Sequence, residues 1–212
     1  MPAVRHLFWD FDGTLYNSYP LMNEDMMLAL KEYGYGDLFT WDELMELMKV
    51  SIGKALKTFT ERTQQDPQPI RERYRERQHA RVYFEPYPGL KECLEKLHEN
   101  GFRHYLYTHR NQVAIDQLER DGLWHLFSDA ITSDDHFPLK PAPDALLALV
   151  ERHGLRPEEC AMIGDRDIDV FAGHNAGMSG IFFDPDGYFP HFRDAELFAG
   201  TLTELCDKLL AK

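Results

Sequence analysis

Two aspartates one residue apart, Asp10 and Asp12, close an apolar run that begins at Leu7. Side chains on a strand alternate with a period of two, so if extended geometry persists to Asp12 both carboxylates face one side and Phe11 turns away into packing. Two carboxylates in one small volume stay ionised only beside a cation or by sharing a proton, which points to a bound metal or to proton transfer. Taken singly, these residues also fit a polar strand end running into the Asp12-Gly13 turn. Other reactive residues stand at similar junctions. Thr108-His109-Arg110-Asn111 follows the strand-like stretch 103–108 and offers a hydroxyl and backbone amides ahead of a helix start, a setting suited to an anion. Lys140 is bracketed by prolines in Phe137-Pro138-Leu139-Lys140-Pro141, which suits a fixed cation better than a mobile solubility charge. Gly164-Asp165-Arg166-Asp167-Ile168-Asp169 places three carboxylates at a helix start, where capping accounts for one of them and not for the cluster. Together with Asp10 and Asp12 they make a pool of hard oxygen ligands of the kind Mg2+ prefers.

The elements that must position these residues follow from periodicity. An opening strand leads into a stretch rich in helix formers, with helices expected at 20–33, 40–50, 51–64 and 69–84. Glu85-Pro86-Tyr87-Pro88-Gly89 breaks that pattern. Beyond it strands and helices alternate: helix 88–100, strand 103–108, helix 111–121, strand 129–132, helix 142–153, strand 160–164, helix 168–177 and strand 179–183. A final amphipathic helix spans Thr201 to Ala211. Alternation of this kind implies right-handed crossovers and a parallel sheet. The expected architecture is a doubly wound α/β core, Rossmann-like, made of residues 1–15 and 87–212, with an α-helical insertion at 16–86. Open α/β sheets bind ligands at the carboxyl ends of their strands, so an insertion rooted beside Asp12 is expected to act as a lid.

Composition narrows the class of partner. The 212 residues, 43% hydrophobic and 13% aromatic, are enough for one good core and an inserted module. A formal net charge of −13 opposes nucleic acid and anionic membrane surfaces, so neither is an expected partner. The same charge means that a phosphate site needs local cations or a metal to reverse the field. Cys93, Cys160 and Cys206 form no C-x-x-C pair, which fits a reducing compartment. No basic-then-apolar leader opens the chain and no apolar run approaches the ~20 residues of a membrane span, so a cytoplasmic protein is expected.

The ordered set Asp10-Phe11-Asp12-Gly13-Thr14, Thr108, Lys140-Pro141 and Gly164-Asp165-Arg166-Asp167-Ile168-Asp169 resembles the haloacid dehalogenase superfamily of phosphohydrolases. The resemblance covers essentially the whole chain, in the branch with a helical cap between its first two motifs, and the layout is similar to that of phosphoglycolate phosphatases. It implies a Mg2+-dependent phosphatase acting on a small phosphate monoester. Asp10 would be the nucleophile that becomes an aspartyl phosphate, and Asp12 the general acid and base whose backbone carbonyl also touches the metal. Asp165 would complete the metal site with Asp169, and Thr108 and Lys140 would hold phosphoryl oxygens. Two positions depart from the family pattern. His109 stands where Asn is frequent, with Asn111 two positions later, and Arg166 stands where a small hydroxyl residue is frequent. His109 is therefore an expected phosphate contact by position rather than by residue type. Lys54, beside Gly53 in the insertion, is the candidate for reading the rest of the substrate. Asp12 argues against a dehalogenase, whose halide leaving group needs no proton. A sugar phosphomutase on the same core remains an alternative, as does a non-catalytic binding protein, whose signature would be loss of Asp10, Asp12 or Lys140.

Overall fold

The computed structural model describes residues 4–187 and 194–211. Its elements run β1 (His6–Trp9), α1 (Tyr19–Glu32), α2 (Trp41–Val50), α3 (Ile52–Thr63), α4 (Gln68–Ala80), α5 (Leu90–Glu99), β2 (Arg103–Tyr107) and α6 (Val113–Arg120). They continue with β3 (Phe127–Ile131), α7 (Asp144–His153), β4 (Cys160–Gly164), α8 (Asp167–Asn175), β5 (Ser179–Phe183), β6 (Leu197–Ala199) and α9 (Leu202–Leu210). The chain divides into two compact units, residues 1–16 with 85–212, and residues 17–84.

The larger unit is a six-stranded sheet in the order β3-β2-β1-β4-β5-β6, with every pairing parallel. This is the expected doubly wound α/β fold. Strands buried on both faces read as unbroken apolar runs, and β4 is buried at all five positions. On one face Phe8 stacks on Tyr105 at 4.7 Å and joins Met162, Leu146, Leu149 and Ala172 in a core shared with α7 and α8. On the other, Trp9 Nε1 donates to His104 Nδ1 at 3.0 Å, which leaves Nε2 to donate to the Leu94 carbonyl of α5 at 3.2 Å. Burial holds that imidazole neutral and lowers its pKa to about 4.

Strand order reverses between β1 and β4, since β2 and β3 extend the sheet to one side and β4, β5 and β6 to the other. The crevice outside the carboxyl ends of β1 and β4 is the topological switch point, where ligands of open α/β sheets bind. The chain leaves this unit after Tyr16 and returns at Glu85, with the two ends joined by the Tyr16–Pro86 bridge and by Tyr87 N–H donating to the Leu15 carbonyl at 3.0 Å.

The smaller unit is all helical. Met26, Leu30, Leu44, Met48, Leu56, Phe59, Ile70 and Tyr74 from α1 to α4 form its core. Thr40 and Ser51 cap α2 and α3 by accepting the backbone N–H of Glu43 and Lys54. Buried Asp25 on α1 is gripped by Arg81 and by Gln78.

Several expected boundaries shift. Strand β1 ends at Trp9 rather than reaching Asp12, because the chain bends at Phe11 and turns at Gly13, whose φ of 79° lies in the left-handed region. The helix expected at 142–153 begins at Asp144, behind Pro143. Strand β6, three residues long, is added at the far edge of the sheet. Among the described residues no helix is long and apolar enough to cross a membrane.

Candidate active site

Strand ends on this edge deliver polar side chains, and several of them meet. Asp10 follows β1, and its backbone N–H donates to the Ile163 carbonyl of β4 at 2.9 Å, which carries the sheet pairing one residue past the strand. Asp165 follows β4, and Asp169 lies in the first turn of α8. Carboxylate oxygens of Asp10, Asp165 and Asp169, all three buried, lie within 4.8 Å of one another. Lys140, from the segment after β3, reaches into the group and donates through Nζ to Asp10 Oδ1 and to Asp169 Oδ1, each at 2.7 Å. Its side chain is fully buried and its ammonium lies 4.6 Å from the centre of the Tyr107 ring.

The approach of Asp169 depends on glycine. A Cβ at Gly164 would fall 2.2 to 2.4 Å from side-chain atoms of Asp169, so only glycine lets that carboxylate pack on the end of β4. Asp169 Oδ2 in turn accepts the Arg166 backbone N–H at 3.1 Å, which ties this carboxylate to the start of α8.

Three buried carboxylates facing one ammonium leave an excess of negative charge in a place of low dielectric. Burial pushes the Asp10 carboxyl up to about 7, against the pull of Lys140 and with Asp169 adding repulsion. Burial also works against the charged form of Lys140, but Asp10 and Asp169 outweigh it and hold its pKa above the usual lysine value. Lys140 therefore keeps its proton, and Asp10 meets it through Oδ1 alone. Its Oδ2 is buried and accepts no hydrogen bond. A hard divalent cation fits this donor set: it would supply the missing positive charge and engage that oxygen.

Thr108 follows β2, buried, with its Oγ accepting the Arg110 backbone N–H at 3.0 Å. His109 accepts the Lys140 backbone N–H on Nε2 at 2.9 Å, which puts the ring proton on Nδ1. Burial, with the charges of Lys140 and Arg166, lowers its pKa to about 3, so the ring is neutral and positions the Lys140 segment. Any contact of His109 with an anion falls to Nδ1–H alone.

Asp12 is placed differently from its expected role as twin of Asp10. Asp12 is held by the Arg110 guanidinium, and its side chain lies outside the cluster of three. Arg110 was passed over in the sequence, although it stands two residues after Thr108. Arg166 does bear on the site, since its charge acts on both Asp10 and His109. Lys54 belongs to the helical unit, exposed in the first turn of α3.

A family model and several known proteins match this chain. A family model described as haloacid dehalogenase-like hydrolase matches residues 7–183. A phosphoglycolate phosphatase of Aliivibrio fischeri is 31% identical over 185 residues, covering 82% of this chain and 81% of that protein. A pyrophosphatase PpaX of Halalkalibacterium halodurans is 30% identical over 181 residues, covering 82% and 81%. Among solved structures, a haloacid dehalogenase-like family hydrolase from Streptococcus pneumoniae has the same fold, with a TM-score of 0.81 at 20% identity over 98% of this chain and 99% of that one.

Proposed function

The chain belongs to the haloacid dehalogenase-like hydrolases, and from that premise we propose that it is a Mg2+-dependent phosphatase that cleaves a small phosphate ester through an aspartyl phosphate on Asp10. The observation that carries this reading is the buried group of Asp10, Asp165 and Asp169 around Lys140 at the switch point of the sheet. The names of the relatives, phosphoglycolate phosphatase and pyrophosphatase, point to small phosphate compounds as the substrate class.

In this reading Lys140 fixes the orientation of Asp10 through Oδ1, and the carboxylate attacks phosphorus as the bond to the ester oxygen breaks. Asp12 gives a proton to the departing oxygen, then takes one from the water that hydrolyses the acyl phosphate. Thr108 and Lys140 face the phosphoryl oxygens, and His109 keeps the Lys140 segment in place through its main chain. Asp10, Asp165 and Asp169, with the Asp12 carbonyl, would hold Mg2+, which supplies charge neutralisation for the transferring phosphoryl group and favours ionised Asp10. The helical unit, taken as residues 16–86, acts as the cap, with Lys54 as a cation for substrate selection. The three cysteines are free and buried, which suits work in the reducing cytoplasm.

Phosphate release from a panel of esters and pyrophosphate, with Mg2+ or with EDTA, tests the reading. The expected result is turnover that needs both Mg2+ and Asp10 and is abolished in Asp10→Asn. Turnover unchanged by EDTA or retained in Asp10→Asn overturns it.

A further inference from the structure

The turn that follows Asp10 is closed and anchored by Tyr16. The Tyr16 N–H donates to the Phe11 carbonyl at 3.1 Å, and the Gly13 N–H donates to the Tyr16 carbonyl at 2.8 Å. The Tyr16 ring stacks on that of Phe11, with centres 4.5 Å apart and planes inclined by 22°. Its hydroxyl donates to Asp121 Oδ2 at 2.7 Å, across 105 positions of sequence. The same oxygen accepts Gln117 Nε2 at 2.9 Å, and Gln117 is a wholly buried residue of α6. Arg120 Nη1 donates to Gln117 Oε1 at 3.2 Å. Asp121, directly after α6, is thus steadied by its own helix where it receives the Tyr16 hydroxyl. All of these residues belong to the larger unit.

A peptide unit is planar, and in its trans form the carbonyl and the N–H point in opposite directions. The unit joining Asp12 to Gly13 gives its N–H to Tyr16, so its carbonyl, that of Asp12, is directed away from the Tyr16 carbonyl. Packing alone does not set this direction. Phe11, Leu15 and Tyr16 are all fully buried, and a phenylalanine at position 16 would bury the same ring. Apolar burial is non-directional, whereas an O–H donated to a carboxylate is directional and about twice as strong as a neutral hydrogen bond. The hydroxyl fixes the Tyr16 ring, the ring moves with its own main chain, and that main chain holds the Gly13 N–H. What this chain of contacts orients is the Asp12 carbonyl.

Building on the phosphatase reading, in which that carbonyl helps to hold Mg2+, we propose that Tyr16 and Asp121 are positioning residues for the metal site: their hydrogen bond holds the peptide between Asp12 and Gly13 in the orientation that offers the Asp12 carbonyl to the cation. Neither side chain touches metal or substrate in this role. Loosening the bond leaves the donor set intact and costs it preorganisation, so the effect falls on Mg2+ affinity.

Calorimetric titration of Mg2+ into the metal-free protein tests this without any turnover. In Tyr16→Phe the dissociation constant for Mg2+ is expected to rise roughly threefold to tenfold, the scale of part of one charge-assisted hydrogen bond. The Mg2+ concentration for half-maximal phosphate release should rise by the same factor. Asp121→Ala should match Tyr16→Phe, and Asp121→Asn, which keeps an acceptor oxygen for the hydroxyl, should recover most of the affinity. Thermal melts check the fold of each variant. In hydrogen exchange read by mass spectrometry, the peptide carrying Gly13 to Tyr16 should exchange faster in Tyr16→Phe while the strands of the sheet stay protected. Mg2+ constants equal to wild type, with only the melting temperature lowered, would make the bond a support for the fold and overturn the proposal. Weakened binding in Tyr16→Phe but not in Asp121→Ala would overturn it too, as would a wild-type protein that binds no Mg2+. Weaker Mg2+ binding in both variants of a protein whose phosphate release does not depend on Asp10 would defeat the phosphatase reading and leave the anchor standing. Asp10-dependent release with unshifted Mg2+ constants would overturn the anchor alone.

Discussion

Replacing Lys140 with methionine removes one positive charge while keeping most of the volume of a fully buried side chain. The loss can be sized from its two partners. The ammonium makes two 2.7 Å hydrogen bonds to Asp10 and Asp169, both carboxylates being almost wholly buried. Charge-assisted hydrogen bonds contribute roughly 1.5 to 3 kcal/mol each, which gives about 3 to 6 kcal/mol for the pair. Removing one partner of a buried ion pair costs about 3 to 5 kcal/mol by an independent route. An upper limit comes from chemistry, because a stranded carboxyl can take a proton instead. From an ordinary pKa near 3.9, doing so costs about 5 to 6 kcal/mol at pH 8 and about 3 kcal/mol at pH 6. Lys140→Met in EDTA is therefore expected to lose about 4 kcal/mol at pH 8, a fall in Tm of about 10 °C for a chain of this size. The deficit should shrink toward pH 6. The freed carboxyl has a folded pKa raised above its unfolded value, so its contribution is present at low pH and is lost as pH rises through the folded pKa. Urea denaturation at pH 6 and pH 8 measures both terms. A loss under about 1 kcal/mol, equal at the two pH values, would mean that water already reaches these carboxylates and would refute the buried-cluster argument.

Three further outcomes are expected. Gly164→Ala puts a Cβ 2.2 to 2.4 Å from Asp169 side-chain atoms, so stability should fall by about 1 to 3 kcal/mol and phosphate release should drop with it; unchanged melting and turnover would contradict the packing. His104 is neutral in the folded protein with a pKa near 4, below its unfolded value of 6.5, so the stability it lends is present above pH 6.5 and is lost as pH falls toward 4. That loss is roughly 3 kcal/mol, and the pH dependence in urea should be shallower in His104→Gln. His109→Phe leaves the Lys140 backbone N–H without its acceptor, a cost of about 1 to 3 kcal/mol together with slower turnover, and a variant as stable and as active as wild type would remove His109 from the site.

The sheet was readable in the sequence because its inner strands are buried on both faces and so appear as short unbroken apolar runs, as at Cys160–Gly164, each followed by turn residues. Strand β6 escaped because three residues carry too little pattern to separate a strand from a loop, and only its pairing with β5 makes it one. The grouping of Asp10 and Asp165 follows from strand order, since residues just past neighbouring parallel strands share an edge whatever their separation in the chain, whereas Lys140 reaches them from the long segment after β3, two strands away from β1. The partnership of Asp12 with Arg110 was not legible in this way. It spans 98 positions and depends on β1 ending at Trp9, which turns Asp12 away from the line of Asp10. The same is true of His109, whose acceptor role is set by the Lys140 backbone rather than by any property of the imidazole itself.

The most direct test of the account is to trap the covalent intermediate. Protein mixed with Mg2+ and its preferred ester, quenched in acid within one turnover and reduced with borohydride, converts an aspartyl phosphate to homoserine, which peptide mass spectrometry can assign to a residue. The account predicts homoserine at Asp10, dependent on Mg2+ and on substrate. Release of phosphate with no modification at Asp10, or with modification at another carboxylate, would contradict it.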